Sequence, residues 1–231
     1  MNNMRSYVAY IAPLQKLLQF VLVPLGTVLT AVGMQALKRM APGVFAAGAE
    51  AFFAIASFYL LYLAVICDVF FERDNFGGTF SSRASYLEYM KTSPRGLSFY
   101  GQILTGSVCV RFLYALCVPG LFCLIGLPSL TDMSRSGGNF WLFFAGALWL
   151  AMQTGALFTR FFAAQNTALV SGMVSSMVIG MLFMVVSLIA FEKQNVTYTV
   201  AGVLAIVAGW VLAFVMVRTG MRKKEREYVD C

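Results

Sequence analysis

The stretch Phe71–Gly96, FERDNFGGTFSSRASYLEYMKTSPRG, is the longest polar segment of the chain, and long apolar runs lie on both sides of it. Seven of its residues are charged: Glu72, Arg73, Asp74, Arg83, Glu88, Lys91 and Arg95. Hydrocarbon offers such a segment no partners, so it belongs in water against a membrane surface. It also carries helix-start signals. Ser85-Tyr86-Leu87-Glu88 has the form of a capping box, a hydroxyl followed three residues on by a carboxylate. Ser93-Pro94 places an N-cap hydroxyl before a proline at the first helical position. The expected local structure is a short surface helix over Ser85–Lys91, a turn, and a second helix from Pro94 that enters the next apolar run. A solvated, capped loop is the plainer alternative.

The composition around this segment sets the class. Of 231 residues, 60% are hydrophobic and 12% charged, the latter about half the share of an ordinary globular domain. Mean hydropathy is +0.77. These values define an integral membrane protein. The net charge of +7 fits anionic lipid and membrane topology better than nucleic acid, because the basic residues flank apolar runs. Four of the five cysteines lie in those runs and none forms a C-x-x-C pair, so neither a disulfide framework nor a zinc site is expected. The chain has no histidine, and with it go the commonest metal ligand and the commonest general base. No cleavable signal peptide is evident.

Working outward, residues 4–18 place Met4, Tyr7, Val8, Ile11, Leu14 and Leu18 on one helical stripe, with Arg5, Ser6, Ala9, Ala12 and Lys16 opposite. That pattern predicts an amphipathic helix lying in the interface, with Pro13 as a kink. Six apolar runs follow, near Leu17–Leu37, Val44–Phe71, Leu97–Leu127, Phe140–Phe162, Ala168–Phe191 and Tyr198–Val217. Each is near or above the roughly 20 residues that a spanning helix requires. The second and third are long enough to tilt or project, and Pro24 and Pro119 can bend their helices. The expected fold is therefore all-α: one transmembrane domain over residues 1–231, with six spans, an N-terminal interfacial helix and a polar loop at 72–96.

Basic residues orient it. The N-terminus, the polar loop, the fourth-to-fifth turn and the C-terminus hold twelve of the Lys and Arg residues. Lys38, Arg39, Arg135 and Lys193 are the four on the other side, and Arg111 lies within a span. Twelve against four puts both termini and the polar loop in the cytoplasm. The outer connections, Lys38–Gly43, Pro128–Asn139 and Glu192–Thr197, are too short for a soluble domain. The tail MRKKEREYVDC reads as a basic anchor.

Small residues recur at helical spacing at Gly172, Ser176 and Gly180, and again at Gly202, Ala205 and Gly209. Such spacing lets helices approach closely, within one chain or between two. No P-loop, zinc-protease or nucleophile-elbow motif occurs, so no catalytic residue and no metal site is assigned. Within the runs, Arg111 and Glu50 are the notable charges, and Asp68 lies near the cytoplasmic end of the second. A charge at that depth must face protein or water. Arg111 and Glu50 are read as an intramembrane pair or as part of a cargo path. Gln102, Gln153 and Thr154 add polarity nearby.

The whole pattern resembles the permeases of type-2 ABC exporters. The topology carries the likeness along the full chain. The most specific part is Tyr86-Leu87-Glu88-Tyr89-Met90-Lys91-Thr92-Ser93-Pro94-Arg95-Gly96 followed by an apolar helix. It is similar to that family's loop of a short helix, a proline-containing turn and the third span, with Ser93 where the family often has leucine. The importer-type loop is not evident. The resemblance implies that Tyr86, Leu87, Glu88, Tyr89, Met90, Lys91 and Arg95 form a coupling helix seated on a cytoplasmic P-loop ATPase. It implies two permease chains, identical or homologous, with ATP and Mg on the partner ATPase and no cofactor in this chain. It further implies a multi-pass protein of the cell membrane, with a bacterial source expected, that is not itself an enzyme. A path poor in charge suits a hydrophobic or amphipathic cargo such as a lipid, peptide or drug. Two other classes compete. A lipid-modifying membrane enzyme needs clustered carboxylates or a nucleophile–base pair. A non-transporting assembly or sensor protein would use the same loop to bind a cytoplasmic partner.

The orientation is checked by cysteine accessibility in intact cells. Ser136→Cys is expected to react with a membrane-impermeant thiol reagent added outside, and Ser82→Cys only after the inner face is opened; the reverse pattern overturns the assignment.

Overall fold

The computed structural model describes residues 2–11, 13–43, 95–126, 137–161, 174, 178, 182 and 197–229. Among them every regular element is helical: α1 (Asn2–Tyr10), α2 (Pro13–Leu17), a π-helical turn (Leu18–Leu22), α3 (Val23–Met40), α4 (Gly96–Gly126), α5 (Gly137–Phe161) and α6 (Thr197–Val229). Three stretches are long and apolar enough to cross a membrane, Leu18–Met40, Gly96–Ile125 and Thr197–Arg222, and Trp141–Leu157 is a shorter apolar helix. The expected runs Val44–Phe71 and Ala168–Phe191 and the Gly172/Ser176/Gly180 spacing lie outside the described residues, apart from Val174, Val178 and Leu182, which are helical and exposed.

Prolines explain where the N-terminal helices break. Pro13 has no N–H to offer the carbonyl of Ala9, and its ring crowds that carbonyl. α1 accordingly closes with the Ile11 N–H donating to Tyr7 O at 3.1 Å, and α2 begins at the proline. Pro24 likewise has nothing to donate to Phe20. The helix changes pitch just before it, and the Val23 N–H reaches five residues back to Leu18 O. Pro119 leaves α4 continuous. Near it the Trp141 indole N–H donates to Leu116 O at 3.1 Å, a side chain from a neighbouring helix serving backbone next to a proline.

Contacts between helices fix their directions. The carbonyl of Asn3 lies against Gly106, and the Ser6 hydroxyl donates to Gln102 Oε1 at 3.1 Å, so α1 runs antiparallel to the first half of α4. The Gln35 carboxamide donates to Ile125 O, so the chain has reversed and α3 runs parallel to α4. The Phe112 ring sits 5.1 Å from Trp149, and Gly120 abuts Trp141, so α5 is antiparallel to α4. Phe112 also lies 5.0 Å from Trp210 and Gly101 faces Met221, so α6 is antiparallel to α4 and parallel to α5.

Shape holds α5 to α6. Gly146 abuts Gly202 O and Ala205, Gly202 abuts the backbone at Leu142 and Phe143, and Gly209 leaves room for the Trp149 indole. The Gly202, Ala205 and Gly209 spacing is thus used within the chain. The main core gathers Val118, Phe122, Phe144, Leu148, Trp149, Met152 and Met216 from α4, α5 and α6, with Ala31 from α3. A second cluster joins Tyr7 and Ile11 of α1 to Ile103 and Val110 of α4. Of the predicted amphipathic stripe, Tyr7 and Ile11 are buried and Arg5 and Ala9 opposite them are exposed, whereas Ser6, read on the outward side, bonds to Gln102 of α4. The apolar face of α1 is occupied by α4, so Tyr7 and Ile11 are spent on protein and not on lipid. The C-terminal tail read as an anchor continues α6 as helix to Val229.

A Cβ on Gly202 would stand 2.8 Å from the backbone of Leu142, whereas one on Gly33 would meet nothing within 4 Å. Gly202→Ala is therefore expected to destabilise the chain by about 1–3 kcal/mol through overpacking. Gly33→Ala should leave thermal melting in detergent unchanged. Equal melting of the two variants would mean that the α5–α6 contact yields without cost.

Candidate functional site: a buried polar layer

Most polar side chains in the apolar helices satisfy themselves. The hydroxyls of Thr27, Thr30, Thr105 and Thr219 donate to backbone carbonyls four residues back, Ser107 donates to Leu104 O at 2.7 Å, and Thr154 donates to Leu150 O. Back-bonding of this kind hides a hydroxyl inside its own helix. A glutamine carboxamide stands further from its own backbone and needs a neighbour. Gln102 and Gln35 have theirs in Ser6 and in Ile125 O.

Gln19 and Gln153 do not. Gln19, in the π-helical turn, is 2% exposed, and Gln153, on α5, is 1% exposed. Neither the nitrogen nor the oxygen of either carboxamide has a hydrogen-bond partner. The indole N–H of Trp149, one turn before Gln153, is also buried and unpartnered. From mutational data, each such carboxamide costs on the order of 1–3 kcal/mol to leave unsatisfied in an apolar interior.

Helix registers place these groups at one level. Phe112 stands beside Trp149 and Gly120 beside Trp141, so eight residues up α4 correspond to eight down α5. Gln153, four residues past Trp149, then falls level with Val108. On the other side, Gln35 stands beside Ile125, and Gln19, sixteen residues earlier, falls level with Cys109. Between these levels α4 carries Ser107 and Arg111 one turn apart, both buried. Arg111 is the sixteenth of the 31 residues of α4, its midpoint, and is 1% exposed. It is engaged in a hydrogen-bond, ion-pair or electrostatic interaction. By these registers Gln19, Ser107, Arg111 and Gln153 lie at similar levels along the bundle, near the middle of α4.

The other predicted site residues are placed as follows. Glu50 and the coupling residues Tyr86, Leu87, Glu88, Tyr89, Met90 and Lys91 lie outside the described residues. Arg95 is exposed at the entrance to α4, where its carbonyl accepts the Phe99 N–H at 3.0 Å. Among the described residues no group of His, Cys, Asp and Glu side chains could hold a metal ion. Sequence reasoning marked Arg111 and Gln153 and passed over Gln19. An isolated carboxamide at the start of the first apolar run was the available signal, but the run's edge read as interface. No protein-family model, no curated protein and no solved structure matches the chain.

The expected pairing of Arg111 with Glu50, as against a place in a cargo path, is tested by charge exchange. Arg111→Glu or Glu50→Arg alone is expected to cost about 3–5 kcal/mol, the penalty for an uncompensated buried charge, seen as lost recovery of folded chain from membranes. The double exchange should restore part of that recovery. Full recovery of both single variants would show the two charges to be independent.

Proposed function

We propose that this chain is the permease subunit of an ATP-driven exporter of the type-2 ABC kind, moving a hydrophobic or amphipathic cargo outward with the help of a separate cytoplasmic ATPase. The observation that carries the reading is directional. α3 and α4 run the same way, as do α5 and α6. Two neighbouring helices of one direction require the chain to return between them. The apolar runs Val44–Phe71 and Ala168–Phe191 are the segments long enough to make those returns across a membrane. Six crossings with both ends on one side follow from that reading, and they agree with the twelve-to-four bias of basic residues.

The same arrangement gives the Phe71–Gly96 segment a mechanical position. It leads directly into α4, the helix against which α1, α3, α5 and α6 all pack. A push delivered at Gly96 enters the bundle along its central member and reaches Ser107 and Arg111 roughly 16 to 23 Å further on, at 1.5 Å per helical residue. A capped helix over Tyr86–Lys91 would transmit such a push where a slack loop would absorb it. Tyr86, Leu87, Tyr89 and Met90 supply aromatic and apolar anchors for an ATPase cleft. Glu88, Lys91 and Arg95 supply a charged rim that governs partner choice and association rate. The second permease chain would complete the path across the apolar faces of α3 and α6, whose Leu25, Leu29, Val32, Leu204, Val207 and Val211 are exposed in the single chain.

Leu87→Asp and Tyr89→Asp are each expected to cut co-purification of the ATPase by roughly tenfold or more, as removal of an interface anchor does, and to abolish cargo-stimulated hydrolysis in lipid vesicles. Membrane insertion should be unchanged, because no span is altered. Normal binding and normal coupling in both variants would remove the proposed docking role.

A further inference from the structure

We propose that the end of the bundle where α4 begins is a seat for anionic phospholipid, with the guanidiniums of Arg5, Arg218 and Arg222 each drawing a phosphate-bearing headgroup from the surrounding leaflet. Such a seat stands whether or not the chain is an exporter. Its ground is a shared level on separate helices. Asn3 lies against Gly106 and Ser6 beside Gln102, so Arg5 of α1 falls level with Ile103. Trp210 stands beside Phe112 and Met221 beside Gly101, so on α6 Arg218 falls level with Leu104 and Arg222 with Tyr100. The three arginines thus fall within about 6 Å of the bundle axis, at 1.5 Å per residue, and all three are exposed. By the Phe112–Trp149 register, position 160 of α5, a fourth arginine, comes level with Gly101.

Depth and charge together name the partner. Gln35 beside Ile125 puts Lys38 and Arg39 three to four levels past Ile125, about 36 Å from the level of Leu104 at 1.5 Å per residue. Hydrocarbon takes up ~30 Å of a bilayer, and the headgroup regions extend it to ~40–45 Å. The two basic ends therefore fall in the two headgroup zones. Between them α4 carries Arg111 as its one charged residue, and α6 carries none from Thr197 to Val217. Helix α1 adds to the same zone in an unexpected way. Its Tyr7 and Ile11 are buried against α4, so what it turns outward is Arg5 and Ala9, a charge in place of an apolar face. The protein offers these arginines little negative charge of its own: among the described residues the acidic ones are Glu225 and Glu227, both past Arg222. Phosphate oxygens suit a guanidinium, which is weakly hydrated and donates in a fork. Each basic residue near an anionic surface is worth roughly fivefold in attraction. An acidic protein would have to reach into the headgroup zone, where lipid already stands.

The test uses the full chain in phosphatidylcholine bilayers with no ATPase present. Spin-labelled phosphatidylglycerol and spin-labelled phosphatidylcholine are the probes, and electron spin resonance reads the fraction of each held at the protein surface. Phosphatidylglycerol is expected to be preferred by at least roughly twofold averaged over all lipid contacts, since only those at one end meet the arginines. The preference should shrink in about 1 M salt, which screens exposed charges. Changing Arg5→Gln, Arg218→Gln and Arg222→Gln together should remove at least roughly half of the excess. The corresponding triple change to lysine should keep most of it, because charge is what the headgroup reads. Lys38→Gln with Arg39→Gln, at the opposite end, should remove less. Equal retention of the two lipids, a preference that the triple glutamine variant keeps in full, or a larger loss in the Lys38 and Arg39 variant overturns the proposal. So does a native chain without lipid preference whose triple glutamine variant loses ATPase co-purification, which assigns the arginines to an acidic protein face. Should the glutamine variant fail to insert, the lipid preference of the native chain and its salt dependence decide. None of these outcomes depends on the ATPase-docking result at Leu87 and Tyr89, so the two readings fail separately.

Discussion

In a bilayer the hydrophobic effect does not press one helix against another, because lipid tails are as apolar as leucine. What holds these helices together must therefore be fit, and the fit is greatest where side chains are smallest. Gly106 admits the backbone of α1 at Asn3, and Gly146 and Gly202 admit each other's helices. Gly209 makes the room that Trp149 fills, and with Trp149 in place Phe112 and Trp210 close around it at 5.1 and 5.3 Å. Each of these contacts exchanges a lipid-facing surface for dispersion contacts at van der Waals distance. The aromatic trio joins α4, α5 and α6 at a single point, from which the register of all three helices follows.

Polar groups obey the complementary constraint. With no water to receive them, hydroxyls turn back onto their own helix, and carboxamides reach for a neighbour. Those rules account for each described serine and threonine bond and for Gln35 and Gln102. Their exception is the layer at Ser107 and Arg111, where Gln19 and Gln153 find nothing. An arginine at the midpoint of a helix of about 46 Å, at 1.5 Å per residue, is the most expensive single placement in the bundle. Crowding two unspent carboxamides to the same level raises that cost further. Among the described residues, then, the unsatisfied carboxamides and the buried guanidinium gather at similar depth.

Much of this was legible in the sequence, and the limits have physical causes. The third, fourth and sixth runs were bounded on the apolar side to within a few residues, since charges and turn residues end them abruptly: Leu97 against Gly96, Phe140 against Gly137, Tyr198 against Thr197. The sixth apolar run ends near Val217 because hydropathy fades there, whereas the helix continues through Arg222-Lys223-Lys224-Glu225-Arg226-Glu227, all good helix formers. The stripe of α1 was readable, but periodicity reports only that a face is apolar. It does not tell lipid from protein, and Gly106 on a distant helix decides the matter. Pro119 can bend its helix, and α4 runs through it as one continuous element. Gln19 and Gln153 are 134 positions apart in the chain. Their common level exists only once Gln35 is set beside Ile125 and Trp149 beside Phe112.

The relation between the layer and the polar loop is the last step. Pushing α4 along its axis by one helical turn, about 5.4 Å, would carry Ser107 to the level now held by Arg111, or the reverse, relative to Gln19 and Gln153. The two carboxamides sit on α5 and on the turn before α3, so they would stay behind. The contacts that resist such a slide differ in kind. Gly101 faces only the flexible end of Met221, whereas α1 is held to α4 by the close approach at Gly106 and the Ser6–Gln102 bond, and the Phe112–Trp149–Trp210 trio interlocks. The C-terminal half of α6 can therefore pass along α4 more easily than the aromatic lock can be broken. Movement is then expected to begin below the trio, in the segment of α4 that joins the polar loop to Arg111.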